Sequence, residues 1–380
     1  MFRSRRPDVC EIMIRKSTFV FSAVAAAVFS GFVSCDKSDD GAVPQVPDDK
    51  LEKVFVVNRG SGGRSEVSVI MRDNSVVGDI LPEGSTGTVR SVEVIGGKIW
   101  VVYDDPGKIA VLHLTNHRQE TQIAHLTERT RFQYALLADD YKVAVSDAEL
   151  RSVFFVDTRT DKIAKEIELG GAVGRMAENG TMSEKQTKLF VAGGDRVYTV
   201  DLSGADNDVR QIDVPASVHS KPVCAASLVW VLSPGALTGL ARENGEPVVQ
   251  YNLSGSGIDA SGGFLSVDEK QERLYFNAKK DGRHAVFALS IAAPPSEDDT
   301  EAAGTATEIE PTPLPDPTPL FYCNEVESLT YAALSRQGTV YVCDARDGVS
   351  AGRIYEYGLD GKVQNTFAVG VAPSELFFLR

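Results

Sequence analysis

Arginines, aromatic rings and carboxylates recur at matching points just after, or just before, short apolar runs in this chain. After such runs stand Arg59, Tyr103 with Asp104, Asp147, Lys279 and Arg346. Ahead of the next runs stand Arg90, Arg131, Phe132, Tyr134, Arg175, His219, Lys221, Glu325 and Glu327. Guanidinium forks bind carboxylate, phosphate and amide edges bidentately, and tyrosine rings offer area to the apolar part of a ligand. The chemistry this set suits is recognition of a small polar molecule. The ligand-facing set is read as Arg59, Tyr103, Asp104, Arg131, Phe132, Tyr134, Asp147, Arg175, His219, Lys279, Glu325 and Arg346. The competing reading, residue by residue, is ordinary charge in surface loops.

Catalytic signatures are weaker. The histidines are His113, His117, His125, His219 and His284. His113 and His117 lie four apart, but in a strand and turn, where that spacing does not converge as it does on a helix. No HExxH or Asp-box occurs. Asp104 and Asp105 are adjacent, yet no regular oxygen-ligand spacing marks a calcium loop. Trp100 and Trp230 fall inside apolar cores and read as packing. No metal and no cofactor is expected. Cys343 ends a strand and Cys323 lies just before its partner strand. A Cys323–Cys343 disulfide is one expectation and two buried thiols are the other.

The elements that must position these residues repeat. The cores are "KVFVV" at Lys53, "KIWVV" at Lys98, "KVAVS" at Lys142, "KLFVA" at Lys188, "SLVWV" at Ser227, "RLYFN" at Arg273 and "TVYVC" at Thr339. Their steps are 45, 44, 46, 39, 46 and 66 residues. β-Branched and aromatic residues dominate, as strands prefer. Each core is followed by a second strand, such as "SVFFVD" or "RVYTVD", and most are preceded by one, such as "SVEVI" or "YALLAD". Four strands at this period predict an all-β, seven-bladed β-propeller. In a blade, the loop before the first strand and the loop between the second and third share one face, which is where the chosen residues fall.

The first core lacks a leading strand, whereas the chain ends in a surplus one, "SELFFL" at Ser374–Leu379. That strand is expected to close the first blade and so the ring. The 66-residue step holds a Pro- and acid-rich insertion at about 291–320, read as a surface excursion of the sixth blade. Thr307 to Glu310 is the segment expected to supply an outer strand there.

The N-terminus reads differently. Arg15 and Lys16 precede an apolar run, Thr18–Val33, that ends in "FVSC" at Cys35. The run is short for a membrane span, and its flanks are those of a signal peptide over residues 1–34, with translation starting at Met1 or Met13. The sequence "FVSC" resembles a bacterial lipobox, which implies cleavage before Cys35, acylation of its thiol and a membrane anchor. Asp36 to Asp40 resembles the acidic export tag of Bacteroidetes surface lipoproteins, and residues 35–50 form a tether to a propeller spanning 51–380. The whole chain carries 39 basic and 53 acidic residues, a net of −14. Residues 1–34 hold five basic and two acidic, leaving about −17 on the rest. Such a charge argues against nucleic acid as a partner.

Over residues 51–380 the chain resembles the YncE-like seven-bladed propellers of Bacteroidetes surface lipoproteins. The resemblance rests on "VFVVNRGSGGRSEVSVI" at Val54–Ile70, although Arg59 stands where that family commonly carries an acid. It implies an outer-membrane lipoprotein facing the cell exterior. One branch of the family captures cobalamin above a TonB-dependent transporter, so a corrinoid and such a transporter are the partners it implies. The alternatives are a lactonase- or lyase-like propeller enzyme using loop carboxylates, and a structural protein–protein interaction module.

Overall fold

The computed structural model describes residues 53–60, 62–123, 127–178, 187–203, 207–291 and 309–379. The signal peptide, Cys35, the tether and His125 lie outside them. Residues Pro47–Arg380 form one compact unit.

Seven sheets make seven blades. The second strands are the predicted cores: Lys53–Asn58, Lys98–Asp105, Lys142–Asp147, Lys188–Ala192, Leu228–Leu232, Arg273–Lys280 and Val340–Asp344. Alternation explains why they are apolar throughout. Phe55 and Val57 pack toward the second blade, while Val54 and Val56 pack toward the seventh. A strand buried on both faces reads as a continuous apolar run. The hydrophobic core is accordingly divided into inter-blade layers, one between each adjacent pair around the ring.

The ring closes as expected. Pro373–Leu379 lies antiparallel to Lys53–Asn58, with Phe55 opposite Phe377 and Val57 opposite Glu375. The pairing slips by one residue at Ser374, between Val57 and Asn58. The leading strands of the fourth and fifth blades are short, Met176–Glu178 and Val223–Ala225. That of the sixth is broken into Ile258–Asp259 and Leu265–Val267.

The insertion departs from expectation. Residues 292–308 lie outside the described set, and with them Thr307. The sixth blade takes its outer strand from Phe321–Tyr322 instead. Thr312–Pro313 runs parallel to Pro247–Asn252 at the edge of the fifth blade. Leu314 explains the detour, because it is buried in the layer between the fifth and sixth blades. The Lys280 ammonium then donates to the Pro317 carbonyl at 2.6 Å.

The cysteine bridge is corrected. Cys323, Cys343 and Cys224 are free thiols. Cys343 faces the layer between the seventh and first blades, with Tyr341 and Ile354. Cys323 faces the layer between the sixth and seventh, with Val342 and Tyr357. The sheet of the seventh blade stands between the two sulfurs.

Candidate functional site

A cavity of about 170 Å³ opens at the mouth of the central channel, on the predicted face. Side chains from several blades line it: Arg59, Arg90, Tyr134, Arg175, His219 and Glu375. Each is placed by a strand end. Arg59 follows Lys53–Asn58, and its amide donates to the Ala372 carbonyl at 3.0 Å. Arg175 precedes the short fourth-blade strand, its amide bound to the Val218 carbonyl at 3.0 Å. Tyr134 sits where the pairing of Phe132–Asp139 slips against Lys142–Asp147. Such a bulge re-aims side chains, and here it separates Tyr134 at the cavity from Phe132 in the core.

Arg175 is the hub. Its Nη2 donates to Glu375 Oε2 at 2.9 Å, with both side chains almost wholly buried. Its guanidinium lies 4.2 Å from the ring centre of Tyr134 and 5.1 Å from that of Tyr331, within cation–π range. Burial works against the charge on Arg175, but Glu375, Tyr331 and Tyr134 outweigh it and hold the guanidinium protonated. Burial likewise raises the Glu375 carboxyl against the pull of Arg175. The pair joins the fourth blade to the closing strand of the first.

Arg90 lies 5.7 Å from the Tyr134 ring centre, and its Nη2 donates to His219 Nδ1 at 3.1 Å. That bond requires a neutral imidazole with its proton on Nε2. Enclosure in the funnel, then Arg90, Arg175 and Arg59, push His219 down to about 4, although part of its ring stays in solvent. Partial enclosure, then Arg90, lower Arg59, whose side chain stays exposed. The Nε atoms of Arg90 and Arg175 are buried with no hydrogen-bond partner. Deeper in the channel stands Glu93. Burial raises its carboxyl to about 7, with Glu375 and Glu178 adding to the rise and Lys221 and Arg175 opposing it.

The structure thus brings Arg59, Tyr134, Arg175 and His219 of the predicted set together. Tyr103 and Phe132 are corrections: they are 1% and 0% exposed, in inter-blade layers. Phe132 meets Phe154 edge-on at 5.7 Å, and Tyr103 supports the Lys108 ammonium at 4.5 Å. Rings at the ends of strands buried on both faces have more to gain from the core than from a rim. Asp147 is wholly buried and accepts from the amides of Arg131, Glu149 and Leu150 at 2.6, 3.0 and 2.8 Å. It ties loops together rather than facing a ligand.

The remainder lie off the cavity lining. Asp104 accepts from Gln133 Nε2 at 2.9 Å. Arg131 Nη1 donates to the carbonyls of Glu128 and Thr130 at 2.9 and 2.8 Å. Lys279 is exposed opposite Asp259 in its ladder. Glu325 accepts from the Tyr357 hydroxyl at 2.9 Å. Arg346 Nη1 donates to the Ala351 carbonyl at 3.3 Å. Trp100 and Trp230 are core residues, as their positions in the repeat predict. Arg90 was visible as a loop residue but not placed among those facing a ligand. The ligand-facing set also omits Glu375, whose signal in the sequence is an acid inside an otherwise apolar closing strand. Among the described residues, no three His, Cys, Asp or Glu side chains converge as metal ligands would.

No protein-family model matches this sequence, and no curated protein matches it. Solved structures do. The β-propeller domain of Cps50 (Swd1) from Myceliophteria thermophila is similar with a TM-score of 0.53 at 13% identity, over 75% of this chain and 87% of that one. The dihydro-heme d1 dehydrogenase NirN, in complex with DHE, is similar with a TM-score of 0.53 at 12% identity, over 88% of this chain and 76% of that one. At such identities the likeness shows the fold, a β-propeller.

Proposed function

We propose that this chain is a binding protein that captures a small anionic molecule at the mouth of its propeller channel. A propeller fold is compatible with ligand binding and with protein interaction alike, so the site must carry the reading. The observation that carries it is the convergence of Arg59, Arg90 and Arg175 on one cavity, opposed there by the single carboxylate of Glu375. Like charges gathered against a low-dielectric wall repel one another, and an anion relieves that repulsion. The neutral His219 adds an N–H donor, and Tyr134 adds an apolar surface. Calorimetry of the unlipidated protein (Cys35→Ser) against a panel of acidic sugars, small organic acids, phosphate esters and cobalamin tests this. Arg90→Gln is expected to weaken whatever binds by about thirtyfold, the ~2 kcal/mol of a hot spot. A ligand whose affinity is unmoved by Arg59→Gln and Arg90→Gln would place binding elsewhere.

The cavity is too small to enclose a corrin ring. A corrinoid would rest on the rim with only a phosphate or amide edge directed to the arginines. The rest of the proposal comes from the sequence. Cys35 is acylated, the protein faces the exterior of an outer membrane, and a TonB-dependent transporter is its partner in uptake. Cys35→Ser should leave the membrane fraction and lose co-purification with any such transporter. Retention after a salt wash counts against the anchor.

A further inference from the structure

We propose that the group seated at the channel mouth is a dianionic phosphoryl group, as on a small phosphomonoester. This rests on the anion-capture reading above and narrows it to one ligand class.

Direction comes first. Arg59, Arg90 and Arg175 reach the cavity from the first, second and fourth blades, so their forks approach from different sides of the ring. A carboxylate offers two oxygens in one plane and suits a single fork. A tetrahedral phosphoryl group offers three oxygens pointing apart, which suits forks on different sides.

Charge comes second. Glu375 matches Arg175 at 2.9 Å. Neither Arg59 nor Arg90 has a carboxylate within ion-pair distance among the described residues; Arg90 bonds a neutral imidazole instead. Asp104 acts on both from the second blade without an ion pair to either, its carboxylate accepting from Gln133. Two guanidinium groups therefore lack a directly paired carboxylate, and a phosphomonoester near neutral pH carries about −1.5 to −2. A monoanion would leave one of them uncompensated.

Donor inventory comes third. His219 is neutral with Nδ1 committed to Arg90, so its Nε2–H is available. Arg175 is 5% exposed and still has a buried Nε with no acceptor, as does Arg90. Buried polar hydrogens without partners are uncommon. The cavity of about 170 Å³ takes a phosphoryl head and a few attached atoms, with the remainder of the ligand outside.

The test is calorimetry at pH 8 and low salt with the unlipidated protein and three probes. Methyl phosphate is a tetrahedral dianion, dimethyl phosphate a tetrahedral monoanion, and malonate a dianion with planar carboxylates. Methyl phosphate is expected to bind at least tenfold more tightly than either of the others. Arg59→Lys keeps the charge on an exposed residue but loses the fork, and should cost methyl phosphate about tenfold. Equal binding of malonate and methyl phosphate would overturn the phosphoryl claim while leaving anion capture standing. Equal binding of dimethyl phosphate would overturn the dianion claim. Binding of none of the three, nor of any member of the wider panel, would remove the capture reading itself.

Discussion

Glu93 shows what the channel does to a single residue. Its carboxyl keeps some contact with the channel space but is ringed by protein, and burial lifts its pKa to about 7. The folded state therefore holds this proton more tightly than the unfolded state, where a glutamate titrates near 4.3. Stability from this group is fully present below about pH 4 and is lost as pH rises toward 7. Glu93→Gln removes the titration. It should match the native protein near pH 4 and exceed it at pH 8 by up to about 4 kcal/mol, a shift of between two and three pKa units at ~1.4 kcal/mol each. Denaturant melts at the two pH values check this, and an equal difference at both would mean that Glu93 is not the titrating group. Residue type alone did not disclose any of this. The sequence marks Arg59, Arg175 and His219 as polar groups at strand ends, because charge in a short connection is visible. It does not say that Tyr103 turns inward while Tyr134 turns to the channel.

Elements explain that difference. The two-faced burial of the second strands is legible, since seven apolar runs near a 45-residue spacing admit few other folds. Irregularities within strands are not. A slipped pair near Phe132 aims Tyr134 at the cavity, and another beside Ser374 accompanies Glu375. Both depend on how two strands meet, which no single run of residues states. The same holds for strand-end carboxylates. Asp147 and Asp344 occupy equivalent places at the ends of "KVAVSD" and "TVYVCD", and Asp147 looks like a ligand group in the sequence. Both instead accept backbone amides: Asp344 takes those of Ser328 and Arg346 at 2.8 and 3.0 Å, as Asp147 takes three. A carboxylate that gathers amides fixes the loops leading into and out of one blade edge. Asn58, at the same place in the first blade, bonds Ser68 Oγ at 2.9 Å and the Val56 carbonyl at 3.3 Å. The insertion was legible as an excursion but not in its route, because the pairing of Thr312–Pro313 with the fifth blade lies far from it in sequence.

At the scale of the whole molecule, the closing strand unites stability with the site. Pro373–Leu379 completes the first blade, buries Leu376, and sets Phe377 against Phe55 at 6.3 Å and Phe378 against Tyr341 at 5.3 Å. It also carries Glu375 to Arg175 across the channel mouth. Deleting Ser374 to Arg380 therefore does two things. It withdraws apolar side chains worth ~1.5–3 kcal/mol each when fully buried, and it strands Arg175 as a buried cation, which typically costs ~3–5 kcal/mol. Together these rival the ~5–15 kcal/mol of a whole domain, and they bare the edge of Lys53–Asn58 to other chains. The truncated protein should aggregate or melt far below the intact one. Glu375→Gln separates the two effects, since it keeps the strand and removes only the charge: it should fold, melt at an intermediate temperature, and leave Arg175 free to take an added anion. A truncation that stays soluble with an unchanged melting temperature would show that the ring does not depend on its last strand. If Glu375→Gln melted as low as the truncation, the buried ion pair rather than the apolar strand would be what holds the ring shut.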